Sequence, residues 1–452
     1  MNEIRNQSMN RAAGLLEYVK ESVTPFHAVQ AAKERLKEAG FEELPLSGEW
    51  KLLPGGKYYT EIFQKTLAAF TVGSQVLENQ VPVRLRMAAA HTDYPCLHIK
   101  PKAEMISGNY EKLNTEVYGG PILNTWFDRP LSIAGVVAVR GENAFAPELR
   151  LFDAKKPVVT LPNLAIHMNR DVNNGVEIKK QAELLALFGQ LAKKDAAQAG
   201  DEEKEAPSKD NFFLHFLASQ LNVAQKDILD FDLFVYNTEE GCLVGMQEEF
   251  LSAPRLDNLT SCYAVLNALI ENPRENGINV GILFDHEEIG SRSKQGADSA
   301  VISMLLEKVY DAIGLGQAAL KDDILSGFLL SADVAHAVHP NRSDKYDPIN
   351  QAAMNDGVVL KINSSQRYTF DTEAIGVVVQ LCEQAGIPYK KFVNHSDLAG
   401  GGTLGPIISG WLPMKTVDIG VPILAMHSAR ELMGVRDQEA ITNLIGEFYG
   451  QK

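Results

Sequence analysis

The chain has 452 residues, 45% of them hydrophobic, which is enough to bury a large core in two or three folding units and excludes global disorder. Its formal net charge of -15 leaves no basic stripe to follow a phosphate backbone, which argues against nucleic-acid binding. Cys96, Cys242, Cys262 and Cys382 form no CxxC pair, so neither a thiolate zinc site nor a redox motif is visible and the four read as reduced thiols.

The first twenty-two residues, MNEIRNQSMNRAAGLLEYVKES, alternate charge with apolar side chains at helical spacing. They lack the apolar core of a signal peptide and predict an amphipathic helix. A second helix, HAVQAAKERLKEAG, ends at Gly40 as a C-cap requires. No run approaches eighteen uninterrupted apolar residues, so no membrane span is expected and the expected address is the cytoplasm. Strand-like runs follow at YYTEIFQKTLAAFTVG and VPVRLRMAAA, the latter opening into HTDYP.

From about residue 98 to 248 the texture changes to short β-like runs such as LSIAGVVAVRG and DLFVYNT, broken by Gly, Pro and Asn. Within it the charged, small-residue stretch KKDAAQAGDEEKEAPSKD (193–210) cannot build a core and reads as an exposed loop without chemistry. After Pro254, helix-like and buried strand-like segments alternate: DNLTSCYAVLNALIEN, INVGILF, MLLEKVYDAIG, GFLLSAD, VVVQLCEQAG and VPILAM. The expected fold is therefore α/β, a layered mixed sheet flanked by helices, with an inserted β-rich second domain. Residues 1–97 and 249–452 are expected to form one discontinuous domain and 98–248 the insert.

Open α/β sheets bind ligands beyond the carboxyl ends of their strands, and several such ends carry metal-type side chains. RLRMAAA leads into His91 and Asp93, INVGILF into Asp285, His286, Glu287 and Glu288, GFLLS into Asp333, and VPILAM into His427; Asp257 opens a predicted helix. Read singly, each has an ordinary explanation. A lone HxD is more often a polar strand end, Asp257 serves equally as an N-cap, and Asp333 suits a turn. Ser428 and Glu431 spell a capping box that would start a helix just after His427.

Taken together, two histidines and three or four carboxylates suit zinc, cobalt or manganese. They also exceed the three protein ligands that one catalytic zinc uses. Two ions about 3.5 Å apart lower the pKa of a shared water toward ~7, and a neighbouring glutamate then takes its proton. The adjacent Glu287 and Glu288 suit a division into base and ligand. The loop from Asn394 to Pro406, with Gly400, Gly401 and Gly402, lacks GK[ST] and is no P-loop; it reads as a loop approached closely by substrate or as a plain turn. Lys361 is either a partner for an acidic substrate group or an exposed lysine. No GxSxG elbow is present, which disfavours a serine hydrolase.

These segments, with SVTPFHAV (22–29), NTWFDRPLSIAGVV (124–137), LAIHMNR (164–170), KINSSQRY (361–368), SDLAGGGTLGPI (396–407) and MHSARELMG (426–434), resemble in order the aspartyl aminopeptidase (M18) family of metallo-aminopeptidases. The resemblance implies two zinc ions per subunit, one held by His91, Asp257 and Asp333 and the other by Asp257, Glu288 and His427. Glu287 would be the general base and Asp93 would orient His91. It further implies that His167 reaches a neighbouring subunit's site to help bind the developing oxyanion, and that Lys361 favours acidic N-termini of short peptide substrates. Gly401 and Gly402 would lie beside the substrate, and the insert would serve a homo-oligomer, typically a tetrahedral dodecamer. Two other readings use the same residues: a related two-metal carboxypeptidase or amide deacylase, and a catalytically silent shell protein. A requirement for a free substrate amine separates an aminopeptidase from the former, and the intact Glu287 argues against the latter.

Overall fold

The computed structural model describes residues 2–77, 84–191 and 211–451; the stretch 193–210, expected to be an exposed loop, lies outside them. In chain order the elements begin with α1 (Asn2–Glu21), α2 (Pro25–Glu38), β1 (Glu42–Glu43), β2 (Lys57–Ile62), β3 (Thr66–Val72) and β4 (Leu85–His91). Next come β5 (Cys96–Ser107), β6 (Tyr110–Tyr118), β7 (Leu131–Asn143), β8 (Ala146–Asp153), α3 (Lys180–Glu183), β9 (Ala186–Gln190), α4 (Phe212–Leu221) and β10 (Ile228–Asn237). The chain continues through β11 (Cys242–Val244), β12 (Phe250–Ala253), α5 (Leu256–Glu271), β13 (Ile278–Phe284), α6 (Val301–Ala312), α7 (Gly316–Ser326), β14 (Phe328–Ala332) and β15 (Ala335–His336). It closes with β16 (Val358–Ile362), α8 (Thr372–Ala385), β17 (Tyr389–Val393), α9 (Leu404–Trp411), β18 (Lys415–Gly420), β19 (Pro422–Leu424), β20 (Glu431–Gly434) and α10 (Val435–Gly450).

Two compact units result: Met1–Tyr94 with Glu240–Lys452, and Pro95–Glu239. Residues 240–248, expected with the insert, belong to the first unit because Cys242–Val244 pair with Phe250–Ser252. Pairing outweighs the loop-like composition of that stretch.

The first unit is built on a nine-stranded mixed sheet in the order β1-β2-β3-β13-β4-β14-β18-β16-β17. Every residue of β4 and β13 is buried, and successive side chains supply opposite faces. Ala88 and Ala90 join the core with residues of α1, α2, α5, α8 and α10, while Met87 and Ala89 join a second core with residues of α6, α7 and α9. Strands covered on both sides read as near-continuous apolar runs, as MAAA and INVGILF do, the latter broken only by Asn279. Each fully buried Leu, Ile or Val contributes about 1.5–3 kcal/mol. A side chain at Gly281 would stand 2.9 Å from Val265, so glycine lets α5 lie close over β13.

β13, β4, β14 and β18 run parallel to their neighbours in this group, with Phe284 opposite His91. Their carboxyl ends therefore reach one edge of the sheet. A smaller sheet, β11-β12-β20-β19-β15, completes the unit.

The second unit carries an antiparallel sheet ordered β8-β7-β10-β5-β6-β9. The rings of Phe188, Phe213, Phe216 and Phe231 cluster where α4 packs against it, with Phe188 and Phe216 centroids 5.3 Å apart. No helix among the described residues is long and apolar enough to cross a membrane.

Candidate metal centre

Three turns at the common sheet edge supply the first candidates. His91 is the last residue of β4, Asp333 follows β14, and Glu287 and Glu288 open the turn after β13. That turn is tight: His286 and Gly290 take positive φ of 65° and 94°, and the Ser291 N–H donates to the His286 carbonyl at 2.7 Å. The Asp93 carboxylate accepts the backbone N–H of Glu287 on one oxygen and of Glu288 on the other, both at 3.1 Å. The Nδ1 atom of His91 lies 3.0 Å from the Asp93 backbone oxygen and 3.5 Å from its carboxylate. Asp93 thus fastens the glutamate turn as well as meeting the histidine.

Asp257 sits at the head of α5, yet its φ of -82° and ψ of 105° are not helical. Its carboxylate turns toward two histidines instead of capping the first turn. Oδ1 lies 3.4 Å from His91 Nε2, and Oδ2 lies 3.4 Å from His427 Nε2. His91 Nε2 is also 3.6 Å from Asp333, and His427 Nε2 is 3.5 Å from Glu288. Three overlapping groups of ligand-type atoms result among the described residues: His91 with Asp257 and Asp333, Asp257 with Glu288 and His427, and His91 with Glu287 and Glu288. Asp257 belongs to the first two.

His427 occupies the turn between β19 and β20, with φ of 68°. The helix expected to start after it, with Ser428 and Glu431 as a capping box, is absent. Glu431–Gly434 is strand β20, bonded to β12 on one side and β19 on the other, and α10 begins only at Val435. Over so short a segment the tertiary pairing overrides the local helix-start signal. Glu431 is buried and accepts the Asp257 N–H at 3.0 Å and the His427 N–H at 2.8 Å. Two further side chains of α5 hold the neighbouring turns. Asn258 Nδ2 donates to the Ala332 carbonyl at 2.9 Å, and the Cys262 thiol lies 2.9 Å from the His91 carbonyl oxygen.

The electrostatics follow from crowding acids in a buried place. Burial favours the neutral His91 imidazole, but the neighbouring carboxylates of Asp257, Asp333 and Asp93 outweigh it and hold the ring well above its ordinary pKa. Burial raises Asp257, yet the two histidines more than reverse this and lower it. Glu287 is pushed up to about 8, by burial first and then by Asp333, Asp93 and Asp257 against the opposing pull of His91. Its proton affinity then lies where acid–base groups work near neutral pH. Burial, followed by the Asp257 charge, raises Glu288 well above the usual carboxylate range.

These groups line a cavity of about 480 Å³ together with His336, Lys361, Tyr368, Phe392, Gly401, Gly402, Thr403 and Met426, among others. Against four lining carboxylates, Lys361 is the only lysine or arginine among the described lining residues. Asp257 Oδ1 and Glu288 Oε1 are buried without a well-formed hydrogen bond. Excess buried negative charge, unsatisfied acceptors and two imidazoles make a donor set suited to divalent cations.

Lys361, for which an exposed position was the commoner expectation, is 3% exposed. It stands 3.4 Å from Asp333 and over the Tyr368 ring at 5.3 Å. Burial pulls its ammonium down, but Asp333, Tyr368 and Asp418 more than offset this and keep it above its ordinary pKa. Gly401 and Gly402 line the cavity, with open space where a side chain would begin. His167 lies elsewhere, on an exposed turn of the second unit beside exposed Leu164, Ile166 and Met168. Sequence reasoning missed Glu431, His336, Tyr368 and Thr403. Glu431 carried a visible signal, an acid beside a candidate ligand, that was assigned to helix capping.

Comparisons with known proteins bear on the family and the fold. Residues 18–449 match the family model described as aminopeptidase I zinc metalloprotease (M18). A probable M18 family aminopeptidase 2 from Clostridium acetobutylicum is 44% identical over 97% of this chain and 98% of its own. A chain in the cryo-EM structure of the Ape4 and Nbr1 complex is 33% identical, with a TM-score of 0.90 over 98% of this chain and 86% of that one. An M18 aminopeptidase from Thermotoga maritima, 24% identical, shares the fold at a TM-score of 0.84 over 100% of this chain and 97% of its own.

Proposed function

Since the chain belongs to the M18 family of metallo-aminopeptidases, which are metal-dependent hydrolases, we propose that it releases N-terminal residues from short peptides with two zinc ions per chain and prefers acidic N-termini. The observation that carries the two-ion reading is Asp257, whose two oxygens face two separate histidines at 3.4 Å each. His91, Asp257 and Asp333 would hold one ion, and Asp257, Glu288 and His427 the other; cobalt or manganese suits the same donors. When bound, such ions polarise the scissile carbonyl and acidify water.

The chain's own residues do the rest. Glu287 takes the proton of the attacking water on a carboxylate oxygen and passes it to the leaving amine nitrogen. Asp93 keeps that glutamate aimed by holding the N–H groups of Glu287 and Glu288. Lys361, buried in the cavity wall, offers the positive charge that an aspartyl or glutamyl side chain would meet, while Gly401 and Gly402 leave room beside the substrate. The exposed apolar residues around His167 support a homo-oligomer through the second unit, in which His167 donates to the developing oxyanion of a neighbouring protomer's substrate.

A panel of aminoacyl-p-nitroanilides, assayed alongside elemental analysis of the purified protein, tests this. The expected result is two metal equivalents and faster turnover of aspartyl and glutamyl than of leucyl or lysyl substrates. One equivalent overturns the shared-carboxylate site, and equal turnover across the panel overturns the acidic preference.

A further inference from the structure

We propose that Glu431 is a positioning residue that sets the geometry of the cavity by clamping the backbones of Asp257 and His427 with one buried carboxylate. It rests on the reading of those two residues as metal ligands. Glu431 opens β20 opposite Ala253 of β12, only four residues before Asp257. It is 2% exposed, a place where a strand next to an apolar core would ordinarily carry an apolar side chain. A carboxylate is costly there unless its lone pairs are used.

Both oxygens are used. Oε2 accepts the N–H of Asp257 at 3.0 Å and Oε1 accepts the N–H of His427 at 2.8 Å. Both donors lie in irregular backbone, Asp257 in the non-helical head of α5 and His427 in a turn with φ of 68°. Neither N–H has a place in a helix or sheet ladder, and buried donors of this kind need a partner. The two residues held in this way are those whose side chains meet at 3.4 Å. A shift of either backbone would therefore change the spacing of the imidazole and the carboxylate that face one another.

The chemistry selects glutamate. Two backbone donors need two acceptors, and a glutamate side chain offers an acceptor oxygen to each. A glutamine keeps one oxygen and turns an NH2 group toward the second N–H. An aspartate carries the same two oxygens on a stem one methylene shorter, which draws them back from the two N–H groups. Glu431 does not need to touch metal or substrate to act; it acts through Asp257 and His427.

The test is metal affinity, because a purely structural role would lower stability without moving it. Zinc binding to purified, full-length wild type and Glu431→Gln is measured by competition with a chromophoric chelator, with kcat and KM taken on one p-nitroanilide substrate. In Glu431→Gln the weaker of the two zinc equivalents is expected to lose about ten-fold or more in affinity, with kcat falling at least as far and KM changing by less than about three-fold. Glu431→Asp, which keeps the buried charge but loses reach, is expected to show the same direction and serves if the glutamine variant does not fold. Two equivalents in wild type with unchanged affinities in both variants overturn the clamp alone. Fewer than two equivalents in wild type overturn the two-metal reading, and the clamp with it.

Discussion

Lys361 lies in β16 and Asp333 just beyond the end of β14, and the two stand 3.4 Å apart at the cavity wall. The one lysine on the wall thus already leans on a carboxylate proposed to hold a metal. Its charge is divided between holding that acid and greeting a substrate acid. Lys361→Met is expected to raise KM for a glutamyl substrate by about ten-fold or more, the loss of a charged hydrogen bond of about 1.5–3 kcal/mol. The leucyl substrate should change by less than three-fold. An equal rise for both substrates would remove Lys361 from substrate selection.

Glu287→Gln keeps the shape of the side chain and removes its ability to take a proton. The expected fall in kcat is about 10²–10⁴-fold, with metal content and melting temperature as in wild type. Retained turnover assigns the proton transfer to another group.

Metal removal should silence the enzyme and soften it. A ligand that binds only the folded state adds about 2.7 kcal/mol of stability at a hundred times its dissociation constant. Dialysis against a chelator is expected to abolish activity and lower the melting temperature, and zinc, cobalt or manganese should restore both. Activity that survives complete demetallation, verified by elemental analysis, contradicts the metal-dependent reading.

Gly420 ends β18 with no room for a side chain, since a Cβ there would stand 1.7 Å from the Asp333 carbonyl oxygen. That contact involves backbone on both sides and has no flexible end to move away. Gly420→Ala should cost roughly 1–3 kcal/mol in denaturant unfolding, as overpacking does, and should also weaken zinc binding, because relief displaces Asp333. A stability loss with intact zinc affinity would place the adjustment on β18 instead.

Asp437, buried in α10, accepts the N–H of Asn355 at 2.6 Å and of Gly357 at 2.9 Å. Burial outweighs these bonds and pushes its pKa up to about 8. The folded state therefore holds this proton more tightly than the unfolded chain does. Its contribution is fully present below the ordinary carboxylate range and is lost as pH rises toward 8, by at most about 1.4 kcal/mol per pH unit. Asp437→Asn should flatten the fall in unfolding free energy between pH 5 and 8. An unchanged slope would mean that other groups set it.

The large sheet was legible because β4 and β13 are mostly apolar, interrupted inside only by Arg86 and Asn279, and such runs have few other homes. The shared edge that gathers His91, Glu287, Glu288 and Asp333 followed from parallel strands ending together. The small sheet was not legible. β11, β19 and β20 are three or four residues long, and their pairing depends on partners far along the chain. The same distance hid the role of Glu431, whose two donors come from separate segments. The burial of Lys361 was equally invisible, since Asp333 and Tyr368 close around it only in the folded unit.

The order of synthesis follows from where these segments lie. The proposed ligands are dealt out from His91 near the start to His427 near the finish, with the whole second unit translated between the first two. A ribosome therefore translates the whole second unit and most strands of the large sheet between the earliest of these donors and the latest, and β20 and α10 follow His427. A chain halted between β4 and α5 carries His91 and Asp93 but none of the other proposed donors.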